Sequence, residues 1–179
     1  AIDFGDMKYG RIGASGFSNE IRGCWMGGYS YSPGPQAARK VIDYITIAST
    51  GNAKDFGELI NLKEFSSQPT CASTTRGIKF RSSNNTIEYV TIASTGNAVS
   101  FGDTATGTGN GAGLSNATRG VIAGGGAAPL QATIEYITIA STGNSLDFGD
   151  LNQGNEGGCG VSSPTRGVIA GMKDPGVHN

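Results

Sequence analysis

An eleven-residue phrase that occurs three times constrains this chain more than any other feature, because a repeat of this period dictates a modular architecture. Residues 42–52 read IDYITIASTGN, residues 87–97 read IEYVTIASTGN and residues 134–144 read IEYITIASTGN, at spacings of 45 and 47. Each phrase leads to Phe-Gly-acid, at Phe56-Gly57-Glu58, Phe101-Gly102-Asp103 and Phe148-Gly149-Asp150, and a fourth such element, Phe4-Gly5-Asp6, stands near the start. Arg-Gly recurs in the same register, at Arg22-Gly23, Arg76-Gly77, Arg119-Gly120 and Arg166-Gly167. The chain therefore reads as one repeat domain over residues 1–179, with a partial unit over 1–7, units over about 8–58, 59–103 and 104–150, and a partial unit over 151–179. Ala1 falls inside a repeat and is not expected to be a translation start, which leaves room for a lost leader ahead of it.

Within a unit, clusters of Gly, Ser, Thr, Asn and Pro separate short apolar segments, the spacing of strands and turns; no segment sustains a 3.6-residue period. In the third copy, Ile134, Tyr136, Thr138 and Ala140 alternate with Glu135, Ile137, Ile139 and Ser141. Both faces of that strand are largely apolar or small, which places it between two layers. STGN is a polar turn, and the strand ending at Phe-Gly-acid completes a hairpin with it. The small-residue segments at 109–116 and 157–163 and the RGVIAGG type supply two more strands. Glycine numbers 30 of 179 residues, and its small size suits a crowded strand near a propeller axis. The expected fold is all-β: a β-propeller of about four blades, each of four short antiparallel strands, with ring closure left open. One outer strand is expected at 1–7.

The order Gly124-Gly125, Glu135-Tyr136, Phe148 and Arg166 resembles the kelch-type propeller repeat. The likeness runs along nearly the whole chain, with Phe where kelch blades usually carry Trp, and with Arg81-Ser82 where Gly-Gly is expected. The TIASTGN and DFGD wording is similar to glycine-rich repeats in structural or tail proteins of marine bacteriophages. That resemblance implies a virion or extracellular location.

Charge excludes some partners. The net charge is −1 and the 13 basic residues are scattered, so neither nucleic acid nor an anionic membrane surface is an expected partner. No apolar run is long enough for a membrane span, and no signal peptide opens the chain. Cys24, Cys71 and Cys159 have no metal-ligand spacing, and Cys24 stands where other copies carry Ile78, Val121 and Val168, as a small core residue. No metal site and no cofactor is expected. His178, the sole histidine, lies one residue from the end, where it is a poor base for a catalytic triad. Glycine runs such as GTGNGAG at 107–113 lack the Gly-Lys-Ser/Thr of a phosphate loop.

The recurring acids Asp6, Glu58, Asp103 and Asp150 and the arginines of the Arg-Gly pairs form the best polar constellation. Their presence in every unit points to a folding device, with each arginine reaching a carboxylate or a turn carbonyl. Departures from the repeat say more about binding. The segment YSYSPGPQAARK at 29–40 is longer than its counterpart at 126–133, and loops on rigid scaffolds carry recognition. It brings Tyr29, Tyr31 and Arg39, while Trp25 replaces the aliphatic Ile122 and Ile169 and suits stacking on a sugar. These four are the candidate ligand-binding residues, with core filling the competing role for Trp25. The leading function is a non-enzymatic structural or adhesive module that presents loops to a glycan or protein receptor. The alternatives are a propeller-type glycan hydrolase or lyase and an intracellular kelch-like interaction scaffold. Open blade edges add homo-oligomerisation as an expectation.

Overall fold

A computed structural model describes residues 1–32, 37–61, 68–81, 84–126 and 129–171. The strands are β1 (Gly10–Ile12), β2 (Ser15–Ser18), β3 (Arg22–Met26), β4 (Tyr29–Ser32), β5 (Ala37–Ala38), β6 (Val41–Thr46) and β7 (Lys54–Glu58). There follow β8 (Thr70–Ala72), β9 (Arg76–Phe80), β10 (Thr86–Thr91) and β11 (Val99–Asp103), then β12 (Ala112–Ser115), β13 (Arg119–Gly125), β14 (Gln131–Thr138) and β15 (Leu146–Asp150). The last pair is β16 (Cys159–Ser162) and β17 (Gly167–Ala170), and no helix occurs among the described residues.

Each full repeat makes one four-stranded antiparallel sheet. Blade 1 has the order β2-β3-β6-β7, blade 2 β8-β9-β10-β11 and blade 3 β12-β13-β14-β15, while β16-β17 form a half-blade. The architecture is all-β and propeller-like, and the sheets do not close into a ring. Residues 1–7 are not a strand: among the described residues no strand pairs with them, and they dock on the turn of blade 1 instead.

The first strands β2, β8, β12 and β16 lie one against the next, and their small residues permit it. Thr70 Oγ1 donates to the Gly16 carbonyl at 2.7 Å, Ser115 Oγ to Ala72 at 2.8 Å and Ser162 Oγ to Ser115 at 2.6 Å. A Cβ at Gly113 would overlap the Thr70 carbonyl.

The third strands, rich in β-branched residues, are buried on both faces. Ile42, Cys24, Met26 and Phe56 on the back of blade 1 pack with Val90, Ile92 and Ala98 from the front of blade 2. Cys71, Ile78, Ile87 and Phe101 of blade 2 meet Ile122, Ile137 and Ile139 of blade 3 in the same way. Burial of an aliphatic or phenyl side chain is worth roughly 1.5–3 kcal/mol, so these two seams hold the array together. The chain's core is thus between blades as much as within them.

The repeated motifs supply the polar part of each seam. The STGN turn of one blade crosses the Phe-Gly-acid strand of the blade before it. Gly96 N donates to Phe56 O at 2.7 Å, Ala98 N to Glu58 O at 2.8 Å, and Glu58 N to Asn97 Oδ1 at 3.0 Å. The next seam repeats this, with Gly143 N to Phe101 O at 2.8 Å, Ser145 N to Asp103 O at 2.9 Å and Asp103 N to Asn144 Oδ1 at 3.0 Å. Residues 4–6 reproduce the geometry on blade 1: Gly51 N donates to Phe4 O at 2.7 Å, Ala53 N to Asp6 O at 2.8 Å and Asp6 N to Asn52 Oδ1 at 3.0 Å.

The Arg-Gly pair completes the seam. Arg22 Nη1 donates to Ile92 O at 2.6 Å and Arg76 Nη1 to Ile139 O at 2.8 Å. Each guanidinium also lies over a tyrosine of its own blade, Arg22 over Tyr44 at 4.7 Å and Arg76 over Tyr89 at 4.6 Å from the ring centroid. Those tyrosines meet Phe56 and Phe101 edge-on, at 5.8 Å between centroids in both blades. The following glycine leaves room for the neighbour: a Cβ at Gly77 would overlap the Phe17 ring, and one at Gly120 the Cys71 sulfur. The arginines therefore reach turn carbonyls of the following blade, and the side chains of Asp6, Glu58, Asp103 and Asp150 stay exposed.

Candidate functional site

Blade 1 carries the one built departure from the repeat among the described residues. Its β3-to-β6 connection folds into the hairpin β4-β5, and β1 adds to β4 to make a separate three-stranded sheet. The alternation Tyr-Ser-Tyr-Ser suits a strand with one face covered. The pairing is non-local: Ile12 lies opposite Tyr29, and Arg11 opposite Ser30.

An ion pair ties this sheet to the blade. Arg11 Nη2 donates to Asp43 Oδ2 at 2.7 Å and Nη1 to Val41 O at 3.2 Å, with both charged side chains essentially inaccessible to solvent. Burial pushes the Asp43 carboxyl up against the opposing pull of Arg11, and burial lowers the Arg11 guanidinium. Removing one member of such a pair leaves an uncompensated buried charge.

The other blades place an acid at the same position and neutralise it differently. Glu88 accepts from Arg81 Nη1 at 3.0 Å, so the residue that breaks the expected Gly-Gly supplies the counter-charge. Glu135 accepts from the amides of Ala105 at 3.0 Å and Thr106 at 2.9 Å and from the hydroxyls of Thr106 and Ser145. The sequence signal for these buried acids is an acid fixed between an isoleucine and a tyrosine in all three copies.

On the surface of the extra sheet, Arg39 lies 5.5 Å and Lys8 5.6 Å from the Tyr9 ring centroid. Lys8 Nζ also bonds Asp55 Oδ2 at 2.9 Å, which raises the lysine's pKa. Lys40 Nζ donates to Ile60 O at 2.9 Å. Tyr9 is thus one aromatic ring with two cationic side chains against it, and Lys40 points to a separate carbonyl.

The four residues expected to bind ligand divide between two places. Tyr29 is half-buried in β4 opposite Ala38, one residue from Arg39. Tyr31 belongs to the same strand, and its side chain, like residues 33–36, lies outside the described part. Trp25 stands apart, half-buried on the front of blade 1 opposite Gly16 and Asp43, with a Cβ at Gly16 falling 3.7 Å from its ring. Its counterpart in blade 2 is Lys79, which is buried in the seam with blade 1 and donates to Ser15 Oγ at 3.0 Å. Trp25 thus occupies a seam position. Tyr9, which no repeat motif marks, joins Arg39 instead.

Among the described residues, no cluster of three or more His, Cys, Asp and Glu side chains is placed to hold a metal ion. His178 lies outside the described residues. Burial pushes the Cys24 thiol up to about 11 and raises that of Cys71 further, so both act as core residues, while Cys159 is exposed.

No protein-family model and no curated protein sequence matches this chain. Among solved structures it is similar to that of YjhT, with a TM-score of 0.71 at 10% sequence identity over 89% of this chain. The match spans 58% of the length of that chain. A likeness at this identity carries fold alone, and it agrees with the blade arrangement: the chain has an all-β, propeller-like fold.

Proposed function

We propose that the chain is a non-enzymatic structural or adhesive module, a kelch-like propeller of about four blades that presents the extra sheet of blade 1 to a glycan or protein receptor on a virion or outside the cell. The observation that carries this reading is the sheet itself. Blades 2 and 3 satisfy their matching buried acids without such a sheet, and β1, β4 and β5 add a platform that neither seam between blades uses. Tyr9 with Arg39 and Lys8 combines a ring for stacking with donors for hydroxyl or carboxylate groups, the mixture that polar receptors require. The resemblance to bacteriophage tail repeats supports an adhesive role.

The test is adsorption of the purified chain to host cells or to a glycan array, with Tyr9→Ala and Arg39→Ala compared with the parent. The expected result is a loss of about tenfold or more in each variant, the range for removing a recognition anchor. Unchanged adsorption overturns the assignment to this sheet, and release of reducing ends from a polysaccharide overturns the non-enzymatic reading in favour of a hydrolase or lyase.

A further inference from the structure

The back of blade 3 repeats the faces that blades 1 and 2 bury, and it is open. Phe56 and Phe101 are each 3% exposed under the following blade, whereas Phe148 is 54% exposed. The half-blade covers only the inner part, where Leu114 fills the space a Cβ would take at Gly167. A groove of about 280 Å³ remains, lined by Phe148, Arg119, Val121, Ile134 and the edge of β17. Arg119 lies over Tyr136 at 4.4 Å, as its counterparts do, but no carbonyl among the described residues accepts from it. In the two closed seams the equivalent space holds Val90 and Ile92, or Ile137 and Ile139.

The outer edge of β17 is equally unfilled. In each complete blade the strand corresponding to β17 has the third strand paired antiparallel beside it. Among the described residues β17 pairs only with β16. An exposed strand edge next to an apolar groove is the arrangement that accepts an added strand, main chain to the edge and alternate side chains to the pocket.

We infer that this groove binds one unpaired strand of the repeat's own third-strand type, aliphatic-Thr-Ile-Ala-Ser-Thr-Gly-Asn, added antiparallel to β17. Its two aliphatic residues cover Phe148, the carbonyl of the second one accepts from Arg119, and its Gly-Asn turn crosses Phe148-Gly149-Asp150.

A fluorescent peptide with the sequence of residues 131–150, the third and fourth strands of blade 3, tests this against the full 179-residue chain by anisotropy. Saturable binding is expected, weakened about tenfold or more by Phe148→Ala in the protein and abolished by Ile137→Asp with Ile139→Asp in the peptide. Arg119→Met is expected to weaken binding severalfold, with near-ultraviolet circular dichroism checking that both protein variants keep the fold. Absence of saturable binding, or equal binding by the double-aspartate peptide, overturns the inference. Light scattering handles self-association. Oligomers that the peptide dissolves support strand addition exchanged between copies, and oligomers that neither the peptide nor Phe148→Ala alters overturn it.

Discussion

Phe101 and Phe148 occupy the same place in adjacent blades, each at the centre of a Phe-Gly-Asp strand and each meeting a tyrosine edge-on, at 5.8 and 6.1 Å between centroids. One is buried under Ile137 and Ile139, and the other faces an open groove. The same Phe-Gly-Asp sequence has made closely similar local structure with different burial. The motif is therefore half of an interface whose value depends on the blade that follows, as expected where each unit's stability includes a nearest-neighbour term.

Substitution at matched positions breaks this comparison most sharply at the phenylalanines. Phe101→Ala is expected to cost about 3–5 kcal/mol, the range for a fully packed ring, and Phe148→Ala less than about 1 kcal/mol. Urea unfolding followed by the fluorescence of Trp25, the sole tryptophan, measures both, and equal losses would mean that the open seam is covered in solution. The glycines give the next largest contrast. Gly77→Ala drives a methyl into Phe17 and is expected to cost towards the upper end of about 1–3 kcal/mol. At Gly23 the nearest atom to a new Cβ is Ile45 Cγ1, at 3.4 Å, and the same change is expected to cost under about 0.5 kcal/mol.

The arginines follow. Arg76→Met removes a charged hydrogen bond to the next blade as well as ring stacking, about 1.5 kcal/mol or more. Arg119→Met removes stacking alone, about 0.5–1 kcal/mol. Thiol labelling sharpens the comparison without perturbing it. A thiol raised to about 11, as in Cys24, stays protonated at pH 8, and Cys71 is raised further still. Mass spectrometry after iodoacetamide at pH 8 should therefore show one label on the folded chain, at exposed Cys159, and three in denaturant. A label on folded Cys71 would show that the seam between blades 2 and 3 opens.

Much of the scaffold was legible because the signals were local and repeated. The two-sided apolar character of IEYITIAS announced a strand between layers, and β6, β10 and β14 are that strand. The small residues at 109–116 announced a crowded position, which β12 occupies. Recurrence of the arginine in each unit pointed to a structural partner, and for Arg22 and Arg76 that partner is a turn carbonyl of the following blade. What stayed hidden depended on distance along the chain. The partner of Tyr29 is Ile12, and nothing at either position specifies the other. The counter-groups of Asp43, Glu88 and Glu135 come from a separate sheet, from the same blade and from a loop, so no spacing encodes them. Residues 1–7 read as a strand because they carry an outer strand's sequence, but a strand also requires a neighbour to pair with. Trp25 had two readings, and its place on the front of blade 1 matches the seam position filled by Lys79 in the next blade.

The turn that crosses each Phe-Gly-acid strand grips main-chain amides and carbonyls, with an asparagine side chain as the acceptor that recurs in every copy. Such a joint has little sequence preference at the acid and at the outward-facing positions of the strand it holds. A duplicated or deleted unit would meet its new neighbour at this joint through the same main-chain atoms, leaving only the apolar part of the seam to be refitted. Copy number in this architecture can therefore change without a new main-chain joint, while the loops of a single blade specialise.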